Sequence, residues 1–301
     1  MTLPERRLLL VHAHPDDESI SNGVTMAKYV ADGAAVTLVT CTLGDLGEVL
    51  VPELAHLAAD ADDALGAHRA GELAAAMAEL GVTDHRVLGG PGRFRDSGMK
   101  WDEDGNATAA DEIDPRSFWN ADLLEAANCL VEVIRETRPQ VVVTYDEFGG
   151  YGHPDHVQAH RVTHYAVALA AAPSHRRDLG EAWDVPKVYW TAMSASRARE
   201  GIRAMREMGM EAFGGMDPEN LPPFMVEDED LDAVVESAEH VDAKLAAMRA
   251  HATQITADGE FFAMGLDLAK LVWATEHYRL VKGVRGPVGA SGLEEDLFAG
   301  L

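Results

Sequence analysis

Short runs rich in valine and threonine recur along the 301-residue chain, each separated from the next by a stretch of helical period, several of them alanine-rich. This alternation limits the fold more than any other feature. Residues 8–11, 36–40, 87–88, 141–144 and 188–191 read as strands, because β-branched side chains suit a pleated backbone and each run is too short for a helix. Between them, "SNGVTMAKYVADG" has cap candidates at Ser21 and Asn22 and a stop at Gly33. The next helix, "DDALGAHRAGELAAAMAELG", stops at Gly81 and offers Leu65, Leu73, Met77 and Leu80 for an inner face. Helices near 120–137 and 155–172 continue the series. The pattern predicts an α/β fold, a doubly wound, mostly parallel, Rossmann-like sheet covered on both faces.

Two stretches break the alternation. Residues 96–117 are acidic and turn-rich, and residues 209–230 are rich in Met, Gly and Pro. Loops of that length are lids, binding loops or disordered segments. Strand and helix signals weaken after about residue 185, so the expected organisation is a catalytic domain over 1–185, a smaller subdomain over 186–283 that completes the substrate cleft, and a tail over 284–301. The tail either docks through Leu297 and Phe298 or stays mobile.

Charge narrows the partners. With 25 Lys and Arg against 51 Asp and Glu, the formal charge is -26, which repels a nucleic-acid backbone and an anionic membrane surface alike. A small-molecule ligand is expected instead. No run approaches the ~18 apolar residues that span a bilayer, and the first residues lack a signal-peptide core, so a cytoplasmic location is expected. Cys41 and Cys129 read as small buried thiols rather than a disulfide. Nothing in the composition specifies an oligomeric state.

Chemistry concentrates in two clusters, "VHAHPDDES" at 11–19 and "YDEFGGYGHPDHVQAH" at 145–160, each directly after a predicted strand. In a doubly wound sheet of order 3-2-1-4-5, ligands bind where strand order reverses, between the first and fourth strands. That rule brings His14, Asp16 and Asp17 to face His153, Asp155 and His156. Two histidines and a carboxylate from two loops suit a hydrolytic zinc with an open position. A structural zinc would want four ligands, usually thiolates, and neither cysteine has a CxxC partner. One His-Pro-Asp alone is an ordinary capped helix start; two, after strands predicted to be neighbours, favour a site.

HPDDE at 14–18 with HPDH at 153–156 resembles the zinc-dependent N-acetylglucosaminyl-phosphatidylinositol de-N-acetylase-like, or LmbE-like, deacetylases, from about Leu8 to Gly283. The resemblance implies that His14, Asp17 and His156 hold one Zn2+ and that Asp16 is the general base. It also implies that Tyr151 and His153, the latter protonated and held by Asp155, stabilise the oxyanion. Two nitrogens and an oxygen suit Fe2+ or cobalt as well. Within the family, "VTCTLGDLGEV", "GGPGRFRDSGM", "HATQITADGEFF" and "HYRLVKG" are most similar to the group that deacetylates N-acetylglucosaminyl-inositol in mycothiol biosynthesis. Glu48, Arg69 and Asp96 match residues that contact the hydroxyls of that amino-sugar/inositol substrate. His12 is not a ligand in the family and reads as buried or supporting.

The closest rival is the sister group of mycothiol S-conjugate amidases, which typically carry lysine after HPDDES and GGYPHPDH in the second motif. Ser21 and Gly152 stand at those positions here. Both favour the deacetylase, although "ADGEFF" is similar to the amidase. A nucleotide-binding module on the same sheet is a more distant alternative, and the loop after the first strand lacks both GxGxxG and a P-loop.

Overall fold

The computed structural model describes residues 5–102, 107–209, 215–256, 259, 261–262, 270 and 272–301. Parts of the 96–117 and 209–230 loops, and of "ADGEFF", lie outside the described residues. In chain order the main elements are β1 (Arg7–His12), α1 (Asp17–Ala31), β2 (Ala35–Thr40), α2 (Leu65–Leu80), β3 (Asp84–Val87), β4 (Lys100–Trp101), β5 (Ala107–Thr108), α3 (Leu123–Thr137) and β6 (Val141–Thr144). There follow the single turn α4 (Gly149–Gly152), α5 (Pro154–Ala170), β7 (Lys187–Ser194), α6 (Ala195–Glu207), β8 (Met225–Val226), β9 (Ala233–Glu236), α7 (Val241–Ala250) and β10 (Thr275–Lys282).

The central sheet runs β3-β2-β1-β6-β7-β10-β9, with β8 pairing the end of β7. Its first five strands are parallel and lie in the predicted order. β10 is antiparallel to β7 and to β9, so residues beyond 185 extend the same sheet. The alternating inner residues of β1 explain the two-sided cover. Leu9 and Val11 face α3 and α5, whereas Leu8 and Leu10 face α1, α2 and α7. Burying each such leucine stabilises the fold by ~1.5–3 kcal/mol relative to exposure. No helix among the described residues is long and apolar enough to cross a membrane.

Two elements differ from the sequence expectation for physical reasons. β3 begins at Asp84, earlier than the apolar pair 87–88, because an edge strand need not be apolar; the Thr37 hydroxyl donates to Asp84 at 3.0 Å. α1 begins at Asp17 rather than at Ser21 or Asn22. Asn22 marks an internal break (φ -137°, ψ 16°), where its side chain meets His12 and donates to Tyr278, and the Val24 and Thr25 amides turn to the Glu276 carboxylate.

The tail packs by Leu297 and Phe298 into the α1, α2 and α7 face. Inside it, Glu294 is fully buried, ion-paired with Lys187 and accepting from the Tyr189 hydroxyl at 2.6 Å. Removing one partner of a buried pair leaves the other charge uncompensated. Glu294→Ala is therefore expected to lower unfolding stability by ~3–5 kcal/mol, measured as a shift in denaturant midpoint.

Candidate active site

The chain leaves β1 at His12 and turns sharply into α1. Asp16 adopts φ 113°, ψ -35°, a region costly for an L residue by ~1–3 kcal/mol. Its carbonyl accepts from the Ser19 and Ile20 amides, both at 3.0 Å, and its amide donates to Glu18 Oε2 at 2.9 Å. Its carboxylate accepts from Arg69 Nη2 at 3.1 Å. This twist sends adjacent aspartates to different partners. Asp17 Oδ2 accepts from the His14 amide and the Tyr145 hydroxyl, both at 2.9 Å, and lies 3.4 Å from His14 Nδ1 and 3.3 Å from His156 Nε2.

The loop after β6 supplies the other half. Asp146 Oδ1 accepts from the Phe148 and Gly150 amides, closing a turn that leads into α4. At Gly149 (φ 67°) a Cβ would fall 2.7 Å from that of His156. Gly152 (φ 101°) lies so close to β5 that a Cβ would meet the Ala107 carbonyl at 2.5 Å. His153 then caps α5, its Nδ1 accepting from the Asp155 amide at 3.1 Å. The Asp155 carboxylate does not turn to His153 as expected. It accepts from His14 Nε2 at 3.1 Å, from the Ser97 amide at 2.9 Å and from the Ser97 hydroxyl.

These partners fix which ring nitrogens face inward. His156 Nδ1 donates to the Gly149 carbonyl at 3.2 Å, so in the neutral ring Nε2 carries a lone pair. That Nε2 is buried, has no hydrogen-bond partner among the described residues, and points at a carboxylate oxygen. A lone pair aimed at a carboxylate repels it unless a proton or a metal ion lies between them. His14 is arranged alike, with Nε2 held by Asp155 and Nδ1 turned to Asp17. Outer ring nitrogens held by a carbonyl or a carboxylate are the usual support of metal-binding histidines. One nitrogen from each of His14, His153 and His156 lies within 4.8 Å of the others. His14, Asp96 and Asp155 form a second such group, and either set of donors suits a divalent metal; Asp17 belongs to neither group and approaches through Oδ2.

Electrostatics agree. Burial opposes a charge on His14, but Asp96, Asp155 and Asp17 outweigh it and raise the ring's pKa well above the ordinary value. Positive charge is stabilised there, whether proton or metal. Burial also opposes ionisation of Asp17, yet His156 and His14 hold it well below the usual carboxylate range. Asp16 goes the other way: burial lifts it to about 6 against the pull of Arg69. His153 is pushed down to about 2, by burial first and then by His14 and His156. Its Nδ1 accepts from the Asp155 amide, which leaves Nε2 as the nitrogen that carries the ring's proton.

Arg69 is buried against Asp16, not in a surface salt bridge; it also donates to the carbonyls of Gly44, at 3.0 Å, and Pro15. Asp96 is buried 3.7 Å from His14 Nε2 and accepts from the Leu46 and Gly98 amides. Glu48 is exposed, and its carbonyl accepts from Gln254 Nε2 at 3.0 Å. Tyr151 sits over His156 at 5.1 Å between ring centroids, its hydroxyl pKa raised by burial and the nearby carboxylates. A cleft of about 390 Å³ is lined by Asp16, Asp17, Tyr151 and His156 together with the apolar Ile20, Met193, Phe224 and Phe261. A larger cavity of about 810 Å³, near Arg197 and His277, contains none of the motif residues.

Tyr145 and Ser97 were not singled out by the sequence. Tyr145 had one signal, its place as the first residue beyond β6. His12 is buried between the Tyr145 hydroxyl, at 3.1 Å, and Asn22, at 2.8 Å.

An α/β sheet carrying a His/Asp cluster of metal-binding type at its switch point defines the class. Residues 9–167 match the GlcNAc-PI de-N-acetylase (PIG-L) family, and the chain belongs to that family. It is 67% identical over 299 residues, 99% of each chain, to a 1D-myo-inositol 2-acetamido-2-deoxy-alpha-D-glucopyranoside deacetylase of Nocardioides sp.. A protein of the same name from Kribbella flavida is 64% identical over 301 residues, again 99% of each. Among solved structures, the fold is similar to N,N'-diacetylchitobiose deacetylase from Pyrococcus horikoshii (TM-score 0.59, 19% identity, 92% of this chain and 84% of that one). It is also similar to the conserved protein TT1542 from Thermus thermophilus (TM-score 0.57, 21% identity, 94% and 97%).

Gly152 gives a local test. Proline cannot adopt a positive φ, so Gly152→Pro is expected to destabilise the fold by more than ~1 kcal/mol and to lower kcat/KM. Thermal unfolding and turnover of the same preparation measure the two effects.

Proposed function

We propose that the chain hydrolyses the N-acetyl group of 1D-myo-inositol 2-acetamido-2-deoxy-alpha-D-glucopyranoside, giving the free amine and acetate, with one Zn2+ held by His14, Asp17 and His156. Fe2+ suits the same donors. The observation that carries this reading is the buried His156 Nε2, which makes no hydrogen bond among the described residues and faces Asp17 Oδ2 at 3.3 Å. The relatives at 67% and 64% identity supply the substrate.

A bound zinc supplies a Lewis acid that polarises the amide carbonyl and lowers the pKa of water towards ~7. Asp16 takes the proton of the attacking water and passes it to the departing amine as the C–N bond breaks. A carboxyl lifted to about 6 suits both duties near neutral pH. The His153 Nε2 proton and the Tyr151 hydroxyl donate to the carbonyl oxygen as it becomes anionic. Asp155 orients His14 through Nε2. Selectivity for the polyol is assigned to Glu48, Arg69 and Asp96, which lie outside the lining of the cleft of about 390 Å³, because a charged group left without its partner disfavours a wrong ligand.

Acetate release from the disaccharide, with and without added metal, tests the assignment. Metal-dependent release is expected. Cleavage of a mycothiol S-conjugate without deacetylation would move the chain to the amidase group, although the Gly152 backbone disfavours the proline typical there.

Two substitutions separate the adjacent aspartates. Asp17→Ala should lose metal affinity and regain some activity when metal is in excess. Asp16→Asn should bind metal nearly as the parent does and lose turnover by ~10²-fold or more, with no rescue by metal. Metal content and kcat measured on both variants distinguish the roles.

A further inference from the structure

The segment "HATQ", residues 251–254, belongs to none of the roles above, yet it bonds to Glu18, which holds the Asp16 amide, and to Glu72, on the helix that carries Arg69. His251 is fully buried where α7 ends, and its Nε2 lies 2.8 Å from Glu18 Oε1. The ring's other nitrogen has no hydrogen-bond partner among the described residues, so the ring is committed to Glu18 and its neighbour Ser19. Glu18 is equally buried. Ser19 donates to its Oε1 at 2.6 Å, and its Oε2 accepts the Asp16 amide at 2.9 Å. Two residues along, the Thr253 amide and hydroxyl donate to Glu72 at 2.8 and 2.6 Å. Glu72 lies one turn of α2 beyond Arg69, which grips the Asp16 carboxylate.

We infer that residues 251–254 are a strap that sets the orientation of Asp16, with the His251–Glu18 pair as its positioning contact. The inference rests on Asp16 being the proton acceptor. Asp16 needs such a hold because its backbone lies at φ 113°, and a strained conformation persists only where its surroundings over-determine it. One grip is the Glu18 carboxylate on its amide. That carboxylate can rotate away unless Oε1 is pinned; the Ser19 hydroxyl holds it locally, and His251 adds the long-range hold, from a segment more than 230 residues away in sequence. The helix hydrogen bonds to the Asp16 carbonyl are made by α1 itself and do not fix the carboxylate. Loss of the strap should therefore leave the metal ligands in place while the base drifts from its angle of attack.

The test is a double-mutant cycle on metal-loaded enzyme with the disaccharide: Asp16→Asn, His251→Ala, His251→Gln and Asp16→Asn/His251→Ala. His251→Ala should lower kcat about 10- to 100-fold, the scale of a misplaced catalytic group, with KM and metal content near parental. His251→Gln, whose amide can still donate to Glu18, should recover most of that loss. In the Asp16→Asn background the His251→Ala step should cost nothing further, because a strap acting through the base has no base left to place. Should His251→Ala not fold, Glu18→Gln takes its place in the cycle with the same expectation. Parental kcat in the folded variant, or an equal loss with and without the Asp16 carboxylate, overturns the strap. Full turnover by Asp16→Asn alone overturns the base assignment instead, and it is recognised without any change at His251.

Discussion

The parallel pairing of β1 with β6, in register Leu8↔Val141, Leu9↔Val142 and Leu10↔Val143, is the contact on which the site depends. Neither strand has a neighbour of its own half there. Each leads at its carboxyl end into a polar loop, and the register sets how those loops meet: Asp17 Oδ2 lies within 3.4 Å of a nitrogen from each of His14 and His156. Because a one-residue slip would turn every side chain to the other face, the buried Leu and Val residues of these strands locate the cluster as firmly as the histidines compose it.

The different surroundings of the adjacent aspartates are a backbone property. In a regular helix start both would belong to one turn. The positive φ at Asp16 turns its carboxylate to Arg69, while Asp17, the first helical residue, points back beneath the histidines. Burial then acts on the two with opposite outcomes. Near the imidazoles Asp17 stays ionised, whereas Asp16, in the company of Asp17 and Glu18 as well as Arg69, keeps a raised pKa. Sequence neighbours with pKa values driven apart by their surroundings are what acid–base chemistry beside a metal requires.

Much of this was legible in the sequence because it followed from periodicity and from topology. Strands of Val and Thr, helices stopping at Gly33 and Gly81, and a switch point between the first and fourth strands all come from local pattern plus one packing rule. What was not legible depends on contacts distant in sequence. No local signal tells that Asn22 interrupts α1, since the break is stabilised by Glu276 and Tyr278 from β10. The partner of the Asp155 carboxylate was likewise misjudged. The family resemblance implies His153, but the helix cap occupies His153 through the amide and releases the carboxylate to His14 and Ser97. Edge strand β3 was misplaced because its residues are polar where an edge tolerates them.

Arg69 is fastened to the loop that carries Asp16. Its guanidinium is 3% exposed; Nη1 donates to Gly44, Nη2 to Pro15 and Asp16, and Nε is buried with no partner among the described residues. Few donors are left for the hydroxyls of a sugar or an inositol. Any contact it makes with a ligand is therefore made by a group already fastened to the loop after β1, and strain on that contact is felt at Asp16. A rigid cation in this position also answers a requirement of the fold, because Asp16, Asp17 and Glu18 bring three carboxyls into consecutive positions at the N-terminus of α1. The helix dipole favours negative charge there by only ~0.3–1 kcal/mol in ordinary exposed settings, too little to hold three buried carboxyls together. Arg69 on one side, His251 on a second and His14 and His156 on a third each take one of them.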